Sequence, residues 1–144
     1  MVTRADILLA FTHPPRVLYL FCDFTFDKKH KYLLLLSKDH TEVSFFLINS
    51  QSYRFSEKYE IRITPVDFPY LHHESFIDCN KLFTCSTQSF TDMIAKNLNS
   101  FDKGDVPSSV IEKLIQTIED SDVLSEREKL KILPALKAGD SENL

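Results

Sequence analysis

Between residues 16 and 83 the apolar residues come in five short runs, RVLYLFCDF (16–24), YLLLLS (32–37), EVSFFLIN (42–49), YEIRI (59–63) and SFIDCNKLF (75–83), each bounded by Pro, Asp, Asn, Ser or Lys clusters. Runs this short and this rich in Leu, Ile, Val, Phe and Tyr read as β-strands. In YEIRI the alternation is strict: Tyr59, Ile61 and Ile63 share one face and Glu60 and Arg62 the other, so the strand is half-exposed. The run YLLLLS has no polar face and needs cover on both sides. Its four-residue link to the next run, KDHT, favours an antiparallel hairpin, because a parallel return takes a dozen residues or more.

Near residue 100 the period changes. In DVPSSVIEKLIQTIEDSD (105–122), Val110, Ile111, Leu114, Ile115 and Ile118 fall on one side of a helical wheel and Glu112, Lys113, Gln116 and Glu119 on the other. Pro107 falls in its first turn, where a missing N–H costs nothing. A second helix starts at Ser125-Glu-Arg-Glu128, a capping-box spacing, and carries Leu130, Leu133 and Leu136; Pro134 is expected to distort or end it. A shorter helix is expected in TDMIAKNL (91–98). The expected architecture is therefore mainly β with C-terminal helices (α+β): a small antiparallel Src-homology-3-like barrel of five to seven strands with helices packed on it. One domain spans 1–144, with the barrel in 1–100, the helical part in 101–137 and a flexible tail in 138–144.

No run approaches the roughly 20 apolar residues that cross a bilayer, and MVTRADILLAFTHPP has an Asp inside its short apolar patch and no small-residue cleavage site. The expectation is a cytoplasmic protein with no membrane partner. Cys22, Cys79 and Cys85 are too few and too irregular for a disulfide framework and read as reduced, half-buried strand residues. The charge is uneven: residues 1–64 carry nine Lys or Arg against seven Asp or Glu, and residues 65–144 eight against fourteen. The first half can thus face an anion, although an acidic helical half also serves solubility.

Several chemistries have no motif here. With Gly104 and Gly139 the only glycines, neither a Rossmann fingerprint nor a Walker loop can be written. No Gly-x-Ser-x-Gly elbow is present. His72, His73, Glu74, Asp78, Cys79 and Cys85 lie close in sequence, but adjacent histidines point to opposite faces of an extended chain and the cysteine spacing is too wide for a zinc pair. Neither a metal nor another cofactor is expected, and His72-His73 reads as a polar loop leading into a strand.

The order RVLYLFCDF, a charged loop ending KKHK, YLLLLSKD, a hairpin, SFFLINSQ, then ESFIDCNKLFTC and a Val-Pro-x-x-Val-Ile helix resembles the PemK/MazF toxins of bacterial toxin–antitoxin systems. The resemblance covers roughly residues 16–122 and leaves the last helix outside. On it, Lys31 stands where the family has its catalytic Arg, Asn49-Ser50 where it has Thr or Ser, and Asp23-Phe24 matches the Asp-Phe of the first strand. His13-Pro-Pro-Arg16 replaces the usual Gly-Asp start, and Tyr32 the Pro that follows the catalytic Arg. What the resemblance implies is an endoribonuclease toxin that cleaves single-stranded RNA without metal, a cognate antitoxin protein as partner, and a homodimer. A catalytically inert barrel of the same fold, binding RNA or a protein, is the alternative, since Lys31 keeps the charge of Arg but loses its bidentate fork.

The residues themselves fit such chemistry. Cleavage of RNA by its own ribose hydroxyl needs a base, a cation for the charge growing on the phosphoryl oxygens, and an acid for the leaving oxygen. His30 can move a proton near neutral pH, Lys31 can supply charge, and Asn49 and Ser50 can orient the phosphate; these four are the catalytic candidates. Lys28, Lys29, Gln51 and Arg54 are the candidates for holding the RNA chain. The competing reading is plain: strand ends are polar because they enter turns, and a Lys-Lys-His loop stops edge-to-edge pairing.

Overall fold

The computed structural model describes residues 1–25, 28–52, 57–99 and 101–142. Among these residues six strands form one antiparallel sheet: β1 (Arg16–Cys22), β2 (Lys29–Lys38), β3 (Glu42–Asn49), β4 (Glu60–Ile63), β5 (Ser75–Ser86) and β6 (Asp102–Asp105), in the order β4-β5-β3-β2-β1-β6. The sheet is a curled half-barrel, and the mainly antiparallel architecture with C-terminal helices is the one the runs predict. The central strands bear out the expected double cover. Leu33, Leu34, Leu35 and Leu36 are all 0% exposed, alternating between two separate cores.

On one face α3 (Ser108–Asp120) and α4 (Glu126–Glu142) pack Val110, Ile111, Leu114, Ile118, Ile132 and Leu136 against Val17, Leu34, Leu36, Phe46, Ile48 and Ile77. On the other, α1 (Arg4–Ala10) and α2 (Thr87–Ala95) set Leu9, Phe90 and Ile94 against Leu18, Leu20, Leu33, Leu35, Phe45 and Leu47. Each large aliphatic side chain so buried contributes about 1.5–3 kcal/mol.

The capping box at the last helix is present: the Glu128 N–H donates to Ser125 Oγ at 3.1 Å and the Ser125 N–H to Glu128 Oε1 at 2.9 Å. Pro134 does not end that helix, which runs through it to Glu142. The carbonyl that Pro134 leaves without its helical donor belongs to Leu130, which is 74% exposed, so water can take the missing bond. The helix also occupies the first part of the segment expected as a tail. The expected short helix lies at 87–95, four residues earlier than its apolar pattern suggests, because Ser86 caps it by accepting the Ser89 N–H at 3.0 Å. Pro107 is the residue just before α3, not within its first turn.

Candidate active site

The polar start of β2 and the polar end of β3 meet beside the loop that leads into β5. Together they enclose a cavity of about 210 Å³ lined by Tyr19, Lys29, His30, Lys31, Tyr32, Ile48, Ser50, Leu71, His72, His73 and Ser75. Two antiparallel registers bring these residues together: Tyr19 is opposite Tyr32 across β1–β2, and Tyr32 is opposite Ile48 across β2–β3. Leu71 and Ile48, each 5% exposed, floor the cavity as part of the core under α3 and α4.

Hydrogen bonds settle which nitrogen of two histidines carries the proton. His73 Nδ1 lies 2.8 Å from the Glu74 carbonyl oxygen, which can only accept, so Nδ1 donates and neutral His73 keeps its lone pair on Nε2. His30 Nε2 lies 3.0 Å from Asn97 Oδ1, while Asn97 Nδ2 donates to the Met93 carbonyl at 3.1 Å. That second bond orients the amide, so His30 Nε2 donates and Nδ1 holds the lone pair. Each ring is thus clamped through one nitrogen and open at the other, the arrangement a general base or acid needs.

Aromatic rings wall the cavity. Tyr19 stacks on His30 at 5.5 Å and meets Tyr32 at 4.5 Å; Phe21 contacts His30 edge-on at 5.3 Å, and Tyr32 reaches Tyr70 at 5.4 Å. Lys103 Nζ stands 5.8 Å from the Tyr19 ring centroid, within cation–π range. Burial raises the Tyr32 and Tyr70 hydroxyls above the usual phenol value, with the Tyr19–Tyr32 and Tyr32–Tyr70 proximities adding to it. Both stay protonated at neutral pH, and the Tyr32 hydroxyl donates to the Tyr70 carbonyl at 3.5 Å.

Of the sequence candidates, His30, Lys31, Lys29 and Ser50 line the cavity and Asn49, Lys28 and Gln51 do not. Asn49 is 6% exposed and opposite Phe76 on β5. Lys28 is exposed at φ +38° just before β2, and Gln51 is exposed just after β3. Arg54 lies outside the described residues. Strand alternation also divides two neighbours read as one unit. His30 is opposite Phe21, whereas Lys31 is opposite Leu20 and shares its sheet face with Leu33 and the α1–α2 core. His30 and Lys31 therefore project from opposite faces.

The sequence reading missed His72, His73, Ser75, Tyr19 and Tyr32. The two histidines reach the site from a loop some forty residues further along the chain, through the antiparallel pairing of Ile48 with Ile77. Among the described residues no three His, Cys, Asp or Glu side chains form a metal-ligating group, and no helix is long and apolar enough to cross a membrane. No protein-family model and no curated protein matches the sequence.

Proposed function

We propose that this cavity binds a phosphodiester of single-stranded RNA and cleaves it by metal-independent transesterification. The observation that carries the reading is the pair of clamped histidines: His73 with Nε2 open and His30 with Nδ1 open, both lining a single cavity. One imidazole takes the ribose 2′-hydroxyl proton as the oxygen attacks phosphorus. The other, protonated, delivers a proton to the departing 5′-oxygen, leaving a 2′,3′-cyclic phosphate and a 5′-hydroxyl. Lys29, Lys31 and the Ser50 hydroxyl supply charge and a hydrogen bond at the cavity rim, and Tyr19 offers a ring on which a neighbouring base can stack.

With the toxin resemblance, this reading places the protein in the cytoplasm, held in check by an antitoxin protein and acting as a homodimer. A second reading has its own support. Lys31 projects by alternation to the face opposite His30, so the cation expected to stabilise the phosphoryl charge is not aligned with the proton-transfer groups; such a site binds RNA without cutting it.

The test is incubation of the purified chain with single-stranded RNA in a chelator. Cleavage with cyclic-phosphate ends is expected, and His73→Ala should lower it about a hundredfold or more, with the melting temperature unchanged because His73 is exposed. Binding without cleavage, together with no growth arrest on expression, would establish the non-catalytic reading instead.

A further inference from the structure

A second cluster of aromatic rings lies on the other side of the same hairpin end. Where β1 runs out, Asp23 and Phe24 overhang a cavity of about 500 Å³ whose other walls are Phe45, Phe83, Thr84 and Cys85 from β3 and β5 and Ser89, Asp92, Met93 and Lys96 around α2. The volume is within the range of about 300–1,000 Å³ typical of small-ligand sites. Phe24 is 43% exposed although its ring is 5.4 Å from Phe83 and 5.8 Å from Phe45, and those two stack nearly parallel, at 10° and 5.8 Å. A half-open ring beside a buried Phe45 and a partly exposed Phe83 suits a flat ligand.

The charges around the cavity narrow the choice. Lys96 lines it, and Lys81 Nζ stands 4.7 Å over the Phe83 ring at its edge. Cations around an aromatic slot favour a ligand that joins a planar ring to an anion, which is the composition of a nucleotide. Two exposed carboxylates on the lining, Asp23 and Asp92, are of the other sign. Asp92 is partly engaged by Gln88 Nε2 at 3.0 Å, and Asp23 has no hydrogen-bond partner among the described residues. Guanine presents two adjacent N–H donors on one edge, and a carboxylate accepts such a pair in a fork.

We infer that this cavity is a nucleobase-binding site, selective for guanine, in which the base stacks against Phe24 and donates to Asp23 while its phosphate meets Lys96. Its place in an RNA chain rests on the function proposed for the histidine cavity. The site itself does not, because a mononucleotide suffices to fill it. The two cavities flank one hairpin end, so a strand crossing that end would leave a base on one face and a phosphodiester on the other.

The chain has no Trp, so the Phe24→Trp variant gives a single indole reporter at the mouth of the cavity, at a position exposed enough to accept it. Titration with guanosine 5′-monophosphate should quench its emission saturably, uridine 5′-monophosphate should bind at least about tenfold more weakly, and ribose 5-phosphate should leave the emission unchanged. Adding Asp23→Asn should abolish the preference for guanine while keeping the quenching. An equal response to ribose 5-phosphate, or none to millimolar guanosine monophosphate, overturns the inference. Quenching by a protein that cuts no RNA sustains this site and removes the proposed cleavage, whereas cleavage without quenching does the reverse.

Discussion

The two ends of β2 carry similar residues and do different things. At one end Lys38-Asp39-His40-Thr41 turns into β3, and its polar atoms are used inside the fold. Asp39 Oδ1 accepts the Thr41 N–H at 2.7 Å, the Thr41 hydroxyl at 2.7 Å and the Glu42 N–H at 2.9 Å. The Asp39 carbonyl takes the Thr87 hydroxyl at 2.7 Å, and Lys38 Nζ bonds the carbonyls of Leu9 and, at 3.1 Å, Ala10, closing the C-terminus of α1. At the other end His30 and Lys31 stand beside a cavity, and His30 keeps one ring nitrogen open. Composition does not separate a structural strand end from a functional one. What separates them is the destination of the hydrogen bonds, and that depends on segments far away in sequence.

The comparison presumes a rigid sheet between the two ends, and the largest effect comes from breaking it. Leu114 is 0% exposed in the core beneath Leu34 and Leu36. Leu114→Asp buries an unpaired carboxylate and removes an aliphatic side chain, at a cost of several kcal/mol, which is comparable with the whole stability of a domain this size. Loss of the cooperative melting transition in circular dichroism is the expected outcome. An unchanged melting temperature would detach α3 from the core.

Next in size is a crossed pair of lysine substitutions. Lys38→Ala should lower stability by about 1–2 kcal/mol, seen as a drop of several degrees in melting temperature, because two helix-terminal carbonyls lose a charged donor, and it should leave RNA binding alone. Lys31→Ala should do the opposite, reducing the salt dependence of RNA binding by about one ion while the melting temperature stays put. Lys31→Arg sharpens the contrast. If Lys31 holds the phosphate, the fork of Arg should tighten binding. If both lysines instead change only stability, the two ends are alike and the open-cavity reading of the first fails.

Much of this was legible beforehand because it is written locally. The β3 bounds coincide with EVSFFLIN, the double burial follows from four consecutive leucines, and Ser125 with Glu128 marks a helix start by spacing alone. Helix α1 escaped notice because seven residues give little periodicity, although Thr3 and Asp6 form a capping box that the sequence displays. Strand β6, DKGD, carries no apolar signal. It is held by backbone pairing to β1 and by Arg16, which bonds Asp102 at 2.6 Å and Asp105 at 2.8 Å. The separation of His30 from Lys31 could have been read from parity, since Lys31 is in step with Leu33 and Leu35. The arrival of His72 and His73 could not, because only the register of β3 with β5 creates it.

The smallest effect tests whether the turn end is purely structural. The Thr41 hydroxyl and the Glu42 and Thr41 N–H groups hold the Asp39 carboxyl down at about 2, below the ordinary aspartate value. A carboxylate whose folded pKa is depressed stabilises the fold above its unfolded pKa and loses that contribution as pH falls through the folded one. The contribution of Asp39 is therefore whole above about pH 4 and vanishes towards pH 2. Asp39→Asn keeps the shape of the side chain but weakens its acceptance of three donors, so the wild type should melt slightly higher than the variant at pH 6. The two melting temperatures should converge as the pH is lowered from 4 to 2, with RNA binding at neutral pH the same in both. A gap in melting temperature that persists to pH 2 would mean that the three bonds do not depend on the charge of Asp39. A change in RNA binding would mean that the turn end reaches the site, and the two ends of β2 would no longer be separable.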